Sequence, residues 1–561
     1  MVAITISEFI YLLPILILGL AIIVSLFLIF LFRVSTRFSA LFTIICLSVA
    51  FISSSFIGYK IVSNSDEQNV IQSTMQNSEP SKMKSSELPV YLQSSLLLQQ
   101  PNLLTNSESS TNDDIEQDKP KSSFWKASYV TALFTSDGYS ALYTSLVLFL
   151  SIMVSTLSFR WFYNDQKKSH SLFYLMLLFS ALGATTLIYS SHLISLFIGI
   201  ELLSIPFVGL IGYQYTQQYT LEAAIKYMVL SVIATTFLLL GIAFYYAATG
   251  ELTFSGLSFQ LSTLASPSLL LLLGVCLMLV GIGFKLSLVP FQLWLPDVFQ
   301  GAPAGVALLL TTVGKVAIFC AVAKLFLLAP IVNNESIRTI LVIMAFFSII
   351  WGNIFAISQH NLKRLLAYSS ITHFGYLLIA LIAVQYQVLA LETIGVYLIG
   401  YTFANICVLG VISLESQSSD KEDQDNDIDL RGLFWRKPIM ALAMGVGLLS
   451  LAGVPLTVGF IGRFSLILLA VTAELWPLVA VTVLGSAFGL YFYLRLVINL
   501  YIRSNTHKQI KKQQNVKMIK SQKISINEAL IVLSALFILL CGIYPRWLFS
   551  LVSVAQYLMP K

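Results

Sequence analysis

Charge is scarce in this chain: only 11% of its 561 residues are Asp, Glu, Lys or Arg, against about 25% in a soluble domain. Hydrophobic residues make up 57% and the mean hydropathy is +0.83, so water cannot be its main solvent. Soluble enzyme folds, disordered chains and nucleic-acid binders are poor readings, because the formal net charge is only +6 and most cations sit in a few short loops. Cysteine is scarce too. Cys46, Cys276, Cys320, Cys407 and Cys541 fall in separate apolar runs, which signals neither a disulfide framework nor a metal cluster and reads as inert buried thiols. The sequence also lacks a glycine-rich phosphate loop after a strand, a paired-cysteine motif and a metal-ligand cluster, so no cofactor on this chain is implied.

What the chain has is long apolar runs. A bilayer core about 30 Å thick needs roughly 20 apolar residues per helix, and about fourteen such runs can be counted. They lie near 7–32, 37–60, 138–160, 171–190, 191–213, 221–247, 268–290, 302–325, 336–358, 364–385, 387–414, 438–470, 476–502 and 527–547. The expected fold is an all-α polytopic membrane protein. The first run is expected to stay as a span: Glu8 precedes it, no basic residue does, and no small-residue cleavage site follows.

Basic loops are retained on the cytoplasmic side. Odd-to-even connections carry Arg33 and Arg37; Arg160, Lys167 and Lys168; Lys363 and Arg364; Arg431, Arg436 and Lys437; and a stretch from Arg503 to Lys523. Even-to-odd connections are poor in positive charge, so both termini are expected outside. The division that follows is two N-terminal spans (1–60), a polar outer insertion (61–124), a translocation domain (125–547) and a tail (548–561). The insertion, with Asp113, Asp114, Glu116 and Asp118, and the acidic patch from Asp420 to Asp429 have the composition of solvated decoration.

Two spans look broken. Span 7 runs into GIGFKLSLVPFQLW with Pro290, and span 12 contains SLAGVPLTVGFIGRF with Pro455; both lose backbone hydrogen bonds at proline. Taking spans 4–8 and 9–13 as two five-helix units puts the broken helix fourth in each. An odd number of spans inverts the second unit relative to the first, and paired interrupted helices in inverted repeats point to a transport pathway at the midplane.

Intramembrane charges mark that pathway, because each costs about 2.5–3.5 kcal/mol near the bilayer centre. Glu201 lies too deep in span 5 for its short side chain to reach water at either end. Lys285 and Lys315 flank LPDVFQGAP on antiparallel spans at one depth, roughly 15–18 Å in. Lys226, near the inner end of span 6, either snorkels or joins the pathway. His373 in span 10 suits proton exchange or a structural hydrogen bond. Arg463 on broken span 12 can pair and set a potential but cannot release a proton. Lys324, Glu392 and Glu474 lie near outer ends and read as interfacial; the aromatics Tyr397, Tyr401, Phe403, Trp294 and Trp435 read as packing and interface anchors.

The blocks GFKLSLVPFQLWLPDVFQGAPAGV, SQHNLKRLLAYSSITHFGYLL, ELLSIP, LEAAIKYMVLSV, RGLFWRKP and LSLAGVPLTVGFIGRF together resemble the subunit N type of the proton-pumping NADH:quinone oxidoreductase, respiratory complex I. The resemblance covers about 125–547. It implies an antiporter-like membrane-arm subunit of fourteen helices with inverted repeats, which moves protons while NADH, flavin, iron–sulfur clusters and quinone are handled by other subunits. It also implies roles for Glu201 as the carboxylate of helix 5, Lys285 as the lysine of broken helix 7, Lys315 as the connecting lysine of helix 8, Lys226 as an added helix 6 lysine and His373 as the helix 10 histidine. Gln292 stands where the family often has histidine, and Arg463 where it usually has lysine. The expected partners are other membrane-arm subunits, the lipid bilayer and protons, in a bacterial inner membrane; a mitochondrial inner membrane would support the same chemistry. Two other readings share these features: a subunit of a multisubunit cation/proton antiporter, and a structural membrane-arm subunit that pumps nothing.

Overall fold

A computed structural model describes residues 6–32, 34–77, 128–162, 170–215, 217, 219–257, 269–329, 331–384, 386–416, 426, 430–503 and 525–556. The helices that correspond to the expected spans are α1 (Leu13–Leu31), α2 (Thr36–Asn77), α3 (Gly138–Phe162), α4 (Ser171–Tyr189), α5 (Leu193–Ile211), α6 (Thr220–Thr249), α7a (Leu269–Leu286) with α7b (Trp294–Gly301), α8 (Ala304–Leu328), α9 (Glu335–Ile357), α10 (Leu362–Ile382), α11 (Gln387–Glu415), α12a (Pro438–Ala452) with α12b (Val458–Thr472), α13 (Trp476–Tyr501) and α14 (Ile526–Ile543). Thirteen are long and apolar enough to cross a membrane, and the two short halves of α12 supply the remaining one. The protein is an all-α polytopic membrane protein. The only sheet among the described residues is a hairpin of β1 (Ser128–Tyr129) and β2 (Thr135–Ser136). The 78–127 part of the polar insertion, the basic stretch 504–524 and nearly all of the acidic patch lie outside the described residues; residues 61–77 continue α2.

Loop contacts sort the two faces. On one face Lys363 Nζ donates to Ala302 O (3.0 Å), Thr220 Oγ1 to Gly301 O (2.8 Å), and Arg495 to Ile357 O and Gln359 O (2.9 and 2.8 Å), while Asn361 pairs with Asn426. These are the odd-to-even connections, which makes this the basic face. On the other, the hairpin face, Phe134 pairs with Ser190 and His192 with Thr253.

The two five-helix units share one packing pattern. In the first, α4 packs along α5, α6 along α7a, and α8 returns against α4; in the second, α9 packs along α10, α11 along α12a, and α13 returns against α9. Helices α8, α10 and α11 form the centre: every residue of the best apolar window of α8 is buried, and nearly all of those of α10 and α11. Helices α1, α2, α6 and α14 present much of their apolar surface outward, as helices facing hydrocarbon or a neighbouring subunit do.

Both breaks have local causes. Helix α7a stops at Leu286, earlier than Pro290, because Ser287 takes a left-handed φ of 60° and the chain turns through Pro290 before α7b. Helix α12a ends in Gly453 at φ 74°, where a glycine carries no Cβ penalty. Pro455 follows, and α12b starts at Val458, stacked so closely that a Cβ on Gly459 would overlap the Ser450 carbonyl oxygen. Gly459→Ala is therefore expected to destabilise the fold by about 1–3 kcal/mol; a lowered melting temperature of the purified protein checks this, and an unchanged one contradicts the close approach.

Candidate functional site

Lys285 occupies the last turn of α7a, beside carbonyls whose helical partners the break removes, and a cation there is favoured by the helix dipole. Its side chain is 4% exposed by residue. The ammonium donates to Ser204 Oγ on α5 (2.6 Å) and Ser231 Oγ on α6 (2.7 Å), with the Tyr227 and Phe284 rings each 5.9 Å away. Glu201, half-buried, stands three residues before Ser204 on the same α5 face, within electrostatic range of both Lys285 and Tyr227. The break is held by two bonds: Trp294 Nε1 donates across it to Phe284 O (3.0 Å), and Val289 N donates to Ser348 Oγ on α9 (2.9 Å).

Lys315 points the other way. It follows a π turn over Leu310–Gly314, a widening of α8 that no sequence pattern announced. Its ammonium donates to Ser370 Oγ on α10 (2.7 Å) and lies 4.9 Å from the Phe374 ring. Tyr401 OH on α11 also donates to Ser370 Oγ (2.8 Å) and is 2.6 Å from Thr311 Oγ1, inside the π turn. Lys285 thus belongs to the first unit, and Lys315 joins the first unit to the second.

His373 continues the line one turn along α10. Its ring lies 5.1 Å from the Tyr401 ring; Nδ1 is 2.7 Å from Tyr397 OH and Nε2 3.3 Å from Tyr493 OH, which also bonds Ser369. Arg463 closes the line. Its guanidinium donates to the Leu451 and Ala452 carbonyls at the end of α12a and lies 5.5 Å from the Tyr376 ring. A narrow cavity of about 10 Å³, near the size of one water, is lined by His373, Tyr397, Tyr401, Ser450 and Arg463 among others. Arg463 on α12b therefore ties itself to the end of α12a.

On the basic face Lys226 is 2.6 Å from Glu222 and 2.8 Å from Asp297, and Arg364 donates to Asp297 and Gln300 (2.8 Å each). These side chains line a cavity of about 130 Å³. Lys226 is paired at the basic face, with 41% of its side chain exposed.

Two expectations need revision. Lys324 is wholly buried and paired with Asp137 at 3.0 Å; nearness to a helix end does not expose it, because the start of α3 packs against that end. Tyr397 and Tyr401 do pack, but their hydroxyls belong to the polar line. Ser370 stands near His373 in the sequence, but no sequence signal singles out Ser204, Ser231 or Tyr493, because such residues are common in membrane helices. Glu474 is exposed, and Glu392 accepts from Gln556 Nε2 (2.8 Å) near the hairpin face. Gln292 is buried in the break.

A membrane-embedded bundle with paired broken helices and a central line of buried cationic side chains defines an antiporter-like membrane subunit. Residues 190–489, more than half of the chain, match the family model described as NADH:quinone oxidoreductase/Mrp antiporter, TM, and the chain belongs to that family. A chain of respiratory complex I from Thermus thermophilus, solved with bound aureothin, is 26% identical with a TM-score of 0.67, over 96% of this chain and 98% of that one. A chain of the membrane-bound sulfane sulfur reductase, an archaeal respiratory membrane complex, superposes with a TM-score of 0.72 at 20% identity (98% and 96% covered). One from the Mrp complex of a Dietzia species gives 0.64 at 18% identity (75% and 83% covered). The last two show a shared fold.

Burial opposes ionisation of Asp297, but hydrogen bonds from Lys226 and Arg364 outweigh it and hold its pKa below the ordinary carboxylate value. A carboxylate held low adds stability that is full above its unfolded value, near 4, and is lost as pH falls through its folded one. The melting-temperature gap between wild type and Asp297→Asn is therefore expected to be constant above about pH 5 and to close on further acidification; a gap unchanged down to about pH 3 contradicts it.

Proposed function

We propose that this chain is a proton-translocating membrane-arm subunit of a NADH:quinone oxidoreductase, in a bacterial cytoplasmic membrane with the basic face toward the cytoplasm and both termini outside. NADH, flavin, iron–sulfur clusters and quinone belong, in this reading, to partner subunits. Support comes from the near-complete length match to a complex I chain at 26% identity and from the excess of Lys and Arg on one face.

The observation that carries the proposal is that Lys285 and Lys315, both buried, are hydrogen-bonded to hydroxyls. A hydroxyl can both give and accept a proton. A lysine in such company keeps a proton it can exchange, whereas an arginine keeps its charge permanently.

In the proposed cycle, protons enter from the basic face by the cavity between Lys226, Asp297 and Arg364. Lys285 takes up a proton, with the nearby Glu201 charge setting how tightly it is held. A charge change there alters the potential at Lys315 across the packed helices α7a and α8. Lys315 exchanges its proton with the Ser370–Tyr401 pair, and His373 takes it on toward Tyr397 and Tyr493. The Arg463 cation disfavours a second positive charge on His373 and so promotes release.

Replacing Lys285 by Ala is expected to leave the complex assembled and to abolish or strongly reduce quinone-coupled pumping in NADH-energised vesicles. Full pumping by the assembled variant rejects the assignment. Co-purification of the native chain with flavin and iron–sulfur proteins is the expected companion result; recovery in a complex lacking both favours a cation/proton antiporter instead.

A further inference from the structure

The hairpin-face ends of α3, α4 and α8 hold a second buried charge site that the polar line does not use. Lys324 and Asp137 are 3.0 Å apart with both side chains 0% exposed. Asp137 Oδ1 accepts from Ser140 N (2.6 Å) and Ser140 Oγ (2.5 Å), and Lys324 Nζ also donates to Ser140 Oγ (2.9 Å). Tyr139 OH anchors the α3 start to α8 through Cys320 O (2.9 Å). A buried ion pair is seldom a net gain: apolar residues of similar volume commonly do as well or better. Holding two helices together does not by itself call for this pair.

A second observation points to water and protons. The hydroxyls of Thr135, Tyr143, Thr144 and Ser191 are buried and, among the described residues, without a hydrogen-bond partner. They come from the hairpin, the first turns of α3 and the α4–α5 connection, where Tyr189 at the end of α4 stands close to Asp137 and Ser136. Buried polar groups at this density have capacity that water molecules satisfy. The hairpin loop makes a lid tied to this end of the bundle: Ser191 N and Ser195 Oγ both donate to Leu133 O (3.0 and 2.9 Å), and Leu133 itself is 37% exposed. Lys324 follows Lys315 by nine residues on α8, about 13 Å nearer the hairpin face.

We infer that the Asp137–Lys324 pair is a proton-exchange site through which protons moved by this chain leave at the hairpin face. The inference rests on the proton-translocating reading above. The Asp137 carboxylate takes a proton from a hydronium delivered among the surrounding hydroxyls; one O–H bond breaks and one forms, with no electron transferred. The new O–H bond then breaks toward water under the lid. Lys324 remains an ammonium throughout, and its charge favours the return of Asp137 to the carboxylate. This gives the chain an exit at the edge of the first unit, in addition to the release that Arg463 promotes at α12.

The test compares protons pumped per electron in NADH-energised vesicles for wild type, the double variant Asp137→Asn/Lys324→Met, and Lys285→Ala. The double variant removes both charges and leaves no buried ion unpaired. The expected result is an assembled complex with its proton-to-electron ratio at half of wild type or less; a wild-type ratio overturns the inference. Infrared difference spectra of the turning-over complex serve even where the double variant fails to assemble. Asp137→Glu is expected to shift a protonated-carboxyl band, and the absence of any shift overturns the inference. Loss of pumping in Lys285→Ala beside a wild-type ratio in the double variant rejects the exit site alone, whereas full pumping in both rejects the underlying reading.

Discussion

A charge that cannot reach water from inside a bilayer must be given polar company, at a cost of about 2.5–3.5 kcal/mol where it is not. This chain gives its two central lysines hydroxyl partners. Ser204 and Ser231 hold Lys285, and Ser370 holds Lys315. A carboxylate in contact would fix the ammonium by charge, whereas a hydroxyl satisfies its hydrogen bonds and leaves its protonation responsive to charges further off. Glu201 stands at such a remove from Lys285, and Arg463 does the same for His373.

The helix breaks follow from the same constraint. An unbroken helix offers no free backbone group at the midplane; a broken one exposes several, and each needs a partner. In α7 the partners are Trp294, donating to Phe284 O, and Ser348, accepting from Val289 N. In α12 they include the Arg463 guanidinium, which bonds the last carbonyls of α12a. The two units solve one problem with different parts: a lysine at the end of α7a in the first, and an arginine reaching back from α12b in the second.

The architecture was legible in the sequence because apolar run length and loop charge are one-dimensional signals. So were Glu201, Lys285, Lys315, His373 and Arg463, since a charged or titratable residue inside such a run stands out by type alone. Partners were not legible. Ser370 and Tyr401 look like dozens of other membrane serines and tyrosines until folding sets α10 beside α11. The π turn before Lys315 breaks no composition rule, as Leu310–Gly314 contains no proline. The burial of Lys324 is illegible for a different reason: its place along its own helix is near an outer end, and the Asp137 and Ser140 that enclose it come from a distant part of the chain.

The central claim is that proton movement passes from the first unit to the second through the Lys315–Ser370–Tyr401 contact. Ser370→Ala removes the one hydroxyl shared by the lysine and the tyrosine while leaving both charges and helices in place. Measured in vesicles at matched quinone reductase activity, the protons pumped per electron are predicted to fall in this variant with the complex intact. An unchanged ratio would contradict the account and move the transfer between units elsewhere.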